Sequence, residues 1–95
     1  MEQVTDRIWA ETKVRGCNPC FVKTSAGPVV IDTPQLPTRA VAMRDQVEAI
    51  GPIQYLINTE HHVDHIFGNY WLVTISPLGK LIVPLRYDAV AAVRA

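Results

Sequence analysis

A chain of 95 residues is long enough for one domain with a single modest core, and 48% hydrophobic with 19% charged residues is a globular composition. Nine basic and nine acidic side chains cancel, which argues against a nucleic-acid or anionic-membrane partner. No apolar run approaches the roughly 18 residues needed to span a bilayer, and the first seven residues do not resemble a signal peptide. We therefore expect a cytoplasmic protein.

Three short segments near the N-terminus have the composition of strands joined by tight turns. Residues 7–14 carry a moderate strand pattern, and residues 21–25 alternate apolar and polar side chains. Residues 28–32 form an apolar run typical of a strand buried on both faces. Glycine and proline mark turns at residues 15–19 and 26–28. This order predicts an antiparallel meander.

A helix is predicted over residues 38–50, after a loop in which two prolines exclude regular structure. Thr38 is expected to cap its first amides, and Gly51 to end it in the left-handed conformation. Its buried stripe is predicted at three- and four-residue steps: Ala40, Met43, Val47 and Ile50. Residues 53–59 should then form a buried strand parallel to the strand at 28–32, because the helix supplies the crossover.

The remaining chain is predicted to be a short helix over residues 64–72, a turn at 76–79, a strand at 80–85 and a helix at 87–94. The aromatic side chains are expected in the core rather than in a substrate pocket: Trp9, Tyr70 and Trp71. Together these elements predict a mixed α/β (α+β) fold.

The two cysteines lie in the sequence Cys17-Asn18-Pro19-Cys20. This spacing fits a redox pair or half of a zinc site, but a redox pair usually opens a helix and a structural zinc site needs two more ligands. A strand follows here instead. The favoured interpretation is a pair of thiols beside a turn, and a redox role is a weaker alternative.

The most informative segment is residues 58–69, where all three histidines of the chain fall within five consecutive positions beside two carboxylates. Residues two apart in an extended segment project to the same side, so Glu60 and His62 can converge on one metal ion. Asp64 and His65, at the start of a helix, can serve a second ion. Imidazole and carboxylate ligands suit Zn²⁺ and also iron or manganese.

The segment Asn58-Thr59-Glu60-His61-His62-Val63-Asp64-His65, followed by Gly68-Asn69, resembles the signature of the metallo-β-lactamase superfamily, Thr-His-x-His-x-Asp-His with a later Gly. The resemblance extends over residues 8–72 and includes the Val-Val-Ile-Asp-Thr run at 29–33. It implies the N-terminal half of an αββα sandwich. Residues 1–95 are accordingly interpreted as a single partial metallo-β-lactamase-like domain, truncated at its C-terminus.

The resemblance also assigns roles to individual residues. His62 matches a ligand of the first metal, while Asp64 and His65 match ligands of the second. Asp64 is also the predicted catalytic residue, because this family uses that carboxylate to orient the attacking water. Glu60 replaces the first histidine of the pattern; as an anionic ligand it favours a harder ion or weakens the first site. His61 falls at the variable position and is expected to point away from the metal.

The resemblance also assigns supporting residues, and the sequence departs from the family's pattern in its later part. Asp32 and Thr59 are predicted to support the ligands from outside the metal, and Gly68 to permit a close backbone approach. The family takes further ligands from later in its chain. Here no histidine follows His65, and Asp88 is the only later acidic side chain, so these residues cannot complete a dinuclear site in the family's way.

The resemblance implies a metal-dependent hydrolase, with zinc as the expected metal (one or two ions) and iron or manganese as alternatives. Metal-activated water would attack an ester, amide, thioester or phosphodiester of an unidentified small molecule. The alternative is a truncated, non-catalytic fragment or half-domain that at best binds metal. Such a fragment would self-associate through an exposed apolar face.

Overall fold

A six-stranded sheet runs through the computed structural model, which describes residues 1–74 and 80–82. Within these residues the strands lie side by side in sequence order. They are β1 (Glu2–Gln3), β2 (Ile8–Ala10), β3 (Cys20–Thr24), β4 (Gly27–Ile31), β5 (Tyr55–Ile57) and β6 (Lys80–Ile82). Strands β1 to β4 pair antiparallel, whereas β4, β5 and β6 pair parallel.

The predicted meander is confirmed as β2, β3 and β4, although β2 is much shorter than the segment assigned to it. The short β1 was not predicted. Trp9 stacks on Phe21 with ring centroids 5.0 Å apart, and it is half-buried against the core. The prediction that β4 is buried on both faces is wrong for one face. Pro28 and Val30 are buried, but the alternate residues are only partly covered, because the helix packs on one side.

Helix α1 (Pro37–Glu48) confirms the predicted helix, but its ends differ from the prediction. Leu36 occupies the N-cap position and no side chain caps the helix, so Thr38 does not have the predicted role. Proline is well placed in a first helical turn, since its missing N–H would have no partner there. The helix therefore begins earlier than the threonine suggested.

The C-terminal end of α1 also corrects the prediction. The helix closes at Ala49 in the right-handed conformation. Gly51 is not among the residues with positive φ, so the left-handed glycine stop is wrong. Ile50 lies beyond the last turn and is 41% exposed, which removes it from the predicted stripe. The other three stripe residues are buried: Ala40, Met43 and Val47.

The crossover from β4 through α1 to β5 places two strands in parallel register, with Val30 opposite Leu56. This parallel pairing was predicted from the intervening helix, although β5 is shorter than the predicted strand. The core lies between α1 and the sheet. Its buried members are Phe21, Val30, Met43, Val47, Ile53, Leu56 and Leu72. Burial of these apolar side chains supplies the main driving force for this layer.

The single helix predicted over residues 64–72 is wrong, because the segment forms two separate turns. Helix α2 (Val63–Ile66) is followed by a π-helical turn at Tyr70–Thr74. The Gly68 amide between them donates to the Thr33 hydroxyl instead of continuing the helix. Tyr70 is 56% exposed, so its expected core position is wrong, whereas Trp71 is half-buried.

Strand β6 falls within the predicted strand at residues 80–85. The predicted turn at 76–79 and helix at 87–94 lie outside the described residues. None of the helices within residues 1–74 and 80–82 combines the length and apolar character needed to cross a membrane.

Candidate metal centre

The candidate centre lies beyond the C-terminal ends of the parallel strands β4 and β5. Asp32 follows β4, and its amide donates to the Ile57 carbonyl oxygen at 2.7 Å. Thr59 and the histidine segment follow β5 directly. Open α/β sheets commonly place ligand sites at this edge, since the loops after adjacent parallel strands meet there. Two segments almost 30 residues apart in sequence are thereby brought together.

Asp32 joins these two loops. Its carboxylate is buried and accepts hydrogen bonds from the Thr59 amide (2.8 Å) and the Thr59 hydroxyl (2.6 Å). The same carboxylate lies 3.0 Å from His65 Nδ1. The backbone φ of Asp32 is +61°, a left-handed conformation that aspartate tolerates better than most residues. Asp32 and Thr59 therefore contact His65 from outside the cluster, where supporting residues were predicted.

The orientation of His65 follows from this contact. With Nδ1 donating its proton to Asp32, the lone pair of the ring lies on Nε2. Nε2 is 3.5 Å from Glu60 Oε2 and 3.9 Å from Asp64 Oδ1. The ligand atoms of Glu60, Asp64 and His65 all lie within 4.8 Å of one another. A carboxylate fixing the distal nitrogen of a metal-ligating histidine is a recurring arrangement in metal sites.

The electrostatics of the cluster are those of a mixed ion-pair network. A hydrogen bond with His62 lowers the pKa of Glu60, and the charges of His65, His62 and His61 act in the same direction against desolvation. Burial acts to lower the pKa of His65, but the hydrogen bond and charge of Asp32, with Glu60 and Asp64, raise it overall. Three carboxylates face the single imidazole of His65, and this excess of negative charge makes the centre attractive to a cation.

His62 is not brought into this convergent group. Its Nδ1 contacts Glu60 Oε1, as the two-residue spacing predicts, but its side chain is 68% exposed and stacks on His61 with centroids 4.6 Å apart. His62 is the N-cap residue of α2 in an extended conformation, which directs its ring to the rim of the cluster. Direct metal binding by His62 stays a prediction.

Side-chain hydrogen bonds hold the segment in place. The Thr33 hydroxyl donates to the His65 carbonyl oxygen and accepts from the Gly68 amide, both at 2.9 Å. The buried Asn58 and the half-buried Asn69 exchange reciprocal side-chain hydrogen bonds of 2.7 and 3.0 Å. The sequence predicted no role for Thr33, Asn58 or Asn69 beyond their place in the segments that resemble the family. Their buried polar character gave no sequence cue because their partners lie in other loops.

Cys17 is a neighbour of the centre that the sequence did not reveal. Its Sγ lies within 4.8 Å of ligand atoms of Asp32 and His65 and donates to the Thr33 carbonyl oxygen at 3.4 Å. The preceding Gly16 has φ of +93°, and a Cβ built there would lie 2.7 Å from Asp64 Cβ. The loop therefore packs against the cluster, and only the folded chain brings the two together.

We expect the Cys17 thiol to be unreactive in the folded chain. Burial, followed by the charges of Asp32 and Asp64, raises its pKa to about 12, so the nucleophilic thiolate is scarce near neutral pH. Iodoacetamide labelling in the presence of chelator, with peptide mass spectrometry, should show slow modification that accelerates on adding denaturant. Equal rates in folded and unfolded chain would contradict this protected environment and revive the redox alternative.

The donor set fits a divalent metal ion. Two carboxylates and one imidazole directed at a common point are ligands that Zn²⁺ accepts and that iron and manganese also accept. The imidazole is already oriented by Asp32, and Glu60 and Asp64 remain partly exposed, which leaves a path for the ion. An ion at this point would be held by three side chains that fall within six consecutive positions of the chain.

Comparison with known proteins places this fold and donor set in a family. Residues 12–91 match the model of the metallo-beta-lactamase superfamily. Because that match spans most of the sequence, the chain belongs to the metallo-beta-lactamase superfamily. None of the curated proteins matches the chain.

Solved structures agree with this assignment. A metallo-beta-lactamase from Hirschia baltica is 15% identical with a TM-score of 0.78; the match covers 98% of this chain and 46% of that one. BJP-1, a subclass B3 metallo-beta-lactamase of Bradyrhizobium japonicum, is 25% identical with a TM-score of 0.67, covering 84% and 31%. The predicted superfamily and fold class are confirmed.

A third structure bears on the glutamate of the motif. It is described as the first B3 metallo-beta-lactamase with an active-site glutamic acid, and it is 26% identical with a TM-score of 0.67, covering 83% of this chain and 30% of that one. The present chain therefore spans less than half the length of these similar structures. It corresponds to the N-terminal part of their fold.

Proposed function

We propose that this chain provides the metal-binding part of a zinc-dependent hydrolase, with Glu60, Asp64 and His65 as ligands. The observation that carries the proposal is the convergence of these three side chains, with His65 Nε2 directed toward both carboxylates. Membership of the superfamily supports a hydrolytic role for such a centre. His62, bonded to Glu60 at the rim, is a further ligand in this proposal.

Each residue then has a defined task. Glu60, Asp64 and His65 would hold a Zn²⁺ ion, whose Lewis acidity would make water acidic enough to ionise near neutral pH. Asp64 would accept a hydrogen bond from the attacking water and fix its direction of attack. Asp32 keeps the His65 proton on Nδ1, so that Nε2 remains a donor to metal. Thr59 holds the Asp32 carboxylate in place with two hydrogen bonds.

Glu60 distinguishes this chain from the histidine-containing pattern. An anionic oxygen in place of a neutral nitrogen lowers the net charge of the loaded site and favours harder ions, so iron and manganese are alternatives to zinc. The similar B3 structure described as having an active-site glutamic acid supports a ligand role for Glu60. Metal identity and the number of ions belong to the proposal.

The bond that is cleaved is proposed only as a class: an ester, amide, thioester or phosphodiester of a small molecule. Fold membership does not fix the substrate, so lactam hydrolysis is not assumed. A cytoplasmic location stays a prediction from the sequence.

The second candidate function is metal binding without turnover. Two observations favour it: among residues 1–74 and 80–82, the convergent group contains one imidazole, and the similar structures are more than twice as long. A chain of this kind is proposed to self-associate or pair through apolar side chains that are more than half exposed: Leu36, Val63, Phe67 and Tyr70. Size-exclusion chromatography tests that association.

Elemental analysis of the full chain after zinc loading and desalting tests the metal site. We expect bound zinc in the wild type and an affinity loss of at least about 100-fold in His65→Ala, since even residues that only support a ligand cost 10–100-fold. Asp45→Ala is the matched control, because this exposed carboxylate pairs with Arg44 away from the cluster. Absence of bound zinc in the wild type would refute both candidate functions.

Turnover separates the two candidates. Metal-loaded chain is assayed with a nitrophenyl ester and a bis-nitrophenyl phosphodiester. Hydrolysis that chelator and Asp64→Ala abolish, with Asp45→Ala unaffected, supports the hydrolase. Stoichiometric metal without turnover of either compound supports the non-catalytic candidate.

A further inference from the structure

A small cavity of about 130 Å³ lies on the surface between two loops of the N-terminal half. Its lining side chains come from the loop between β2 and β3 and from the start of α1: Lys13, Val14, Arg15, Gln35, Leu36 and Arg39. Three of these six are cations, and none is acidic. The positive charge is notable because the chain as a whole is neutral.

These cations are not held in ion pairs in the part of the chain that the structure describes. Within residues 1–74 and 80–82, Lys13, Arg15 and Arg39 form no ion pair, whereas Arg44 on the same helix is paired with Asp45 at 3.0 Å. All three side chains are exposed. Lys13 also borders a second cavity that contains two glutamates, so Arg15 and Arg39 define the positive character of the first. Unpaired cations around a concave surface concentrate anions.

The start of α1 borders this cavity through Leu36 and Arg39. Leu36 is the N-cap residue and offers no side-chain acceptor, and the first hydrogen bond of the helix runs from the Ala40 amide to the Leu36 carbonyl oxygen. The amides of Thr38 and Arg39 precede that bond. Such amides and the positive end of the helix dipole favour negative charge, and they supplement the arginines rather than replace them.

The same two loops border the candidate metal centre. Gly16, next to Arg15, packs against Asp64: a Cβ there would come within 2.7 Å of Asp64 Cβ. The Pro34 carbonyl, next to Gln35, packs against Gly68. Because consecutive Cα atoms are only 3.8 Å apart, Arg15 and Gln35 lie close to these two contacts. A small molecule positioned at the metal centre therefore lies beside the loops that carry the cations.

We propose that Arg15 and Arg39, assisted by Lys13, bind an anionic group of the substrate whose scissile bond is positioned at the metal centre. The substrate class is thus a small molecule carrying a carboxylate or a phosphate at a distance from the bond that is cleaved. Guanidinium groups suit both because their planar forks make paired hydrogen bonds to such oxyanions. This assignment rests on the proposed function, but the anion site itself does not require a metal.

The test uses the metal-free full chain with chelator, and follows backbone amide resonances by NMR as sodium phosphate or sodium acetate replaces sodium chloride at constant ionic strength. We expect shifts concentrated at residues 13–16 and 35–39. Arg15→Gln and Arg39→Gln should each weaken binding about fivefold, the effect of losing one exposed charge contact. Comparison of phosphate with acetate tells which oxyanion the cavity prefers.

Two controls make the outcome decisive. Arg44→Gln removes a cation from the same helix outside the cavity and should leave binding unchanged. Because the titration is carried out on metal-free chain with chelator, failure of the anion site is distinguishable from failure of the metal site. Shifts spread over the whole surface, equal weakening in Arg44→Gln, or no response to either anion would overturn the proposal.

Discussion

Asp32→Ala is expected to lower the free energy of unfolding by about 3 kcal/mol. The change leaves the Thr59 amide and His65 Nδ1 without their acceptor, and a hydrogen bond to a charged group contributes about 1.5–3 kcal/mol. Alanine also tolerates the left-handed backbone at this position less well than aspartate does. Urea denaturation followed by tryptophan fluorescence measures the change.

Asp45→Ala is the control for this prediction. Its side chain is 65% exposed and, within residues 1–74 and 80–82, forms an ion pair only with the adjacent Arg44, so we expect a change within about 0.5 kcal/mol. Asp32→Asn adds a second readout, because it removes the carboxylate charge while keeping a side chain that tolerates the backbone conformation. The pKa of His65 should then fall. A cost below about 1 kcal/mol in Asp32→Ala would contradict the joining role of this carboxylate.

Gly68→Ala is expected to cost about 2 kcal/mol of stability. A Cβ at this position would lie 2.6 Å from the Pro34 carbonyl oxygen and 2.9 Å from Thr33 Cβ. Because the first of these is backbone, the loops must separate, and overpacking of this kind typically costs 1–3 kcal/mol. Denaturant unfolding gives the stability change, and zinc titration shows the accompanying loss of metal affinity.

Gly51→Ala provides the matched comparison. A Cβ there would meet only Pro28 Cδ at 3.5 Å, an ordinary contact, and the residue does not have a positive φ. The substitution should be neutral or slightly stabilising, by up to about 1 kcal/mol. If both alanine variants unfold at the same denaturant concentration, the close approach at Gly68 carries no energetic weight.

The sequence predicted the order of elements well because each was encoded locally. The Gly-Pro turn before β4, the two prolines before α1 and the apolar stripe along that helix are all short-range patterns. The predicted boundaries of helices and strands were wrong where contacts with another part of the chain determine them. The segment after His65 breaks at Gly68 because the Thr33 hydroxyl binds its amide, and no pattern within residues 64–72 contains that information.

For the candidate site as well, features within the motif were predicted and contacts with distant loops were not. The sequence predicted one ion at Glu60 and His62 and a second at Asp64 and His65, whereas the structure brings Glu60, Asp64 and His65 together. The family resemblance pointed to Asp32 as a supporting residue, and Asp32 contacts His65. Cys17 and Gly16 were not connected with the centre, because a loop more than 40 residues earlier reaches Asp64 only after the sheet has formed. The outward rotation of His62 also depends on where α2 begins, which the sequence placed one residue later.

The His65 carbonyl oxygen is held by the amide and hydroxyl of Thr33, at 3.0 and 2.9 Å. Neither bond involves an atom that would coordinate an ion, so we expect the cluster to keep its shape when an ion binds. Little chain entropy is then lost when an ion enters. We expect uptake and release to be exchange reactions of an already folded chain, with a rate governed by access across the open rim rather than by refolding.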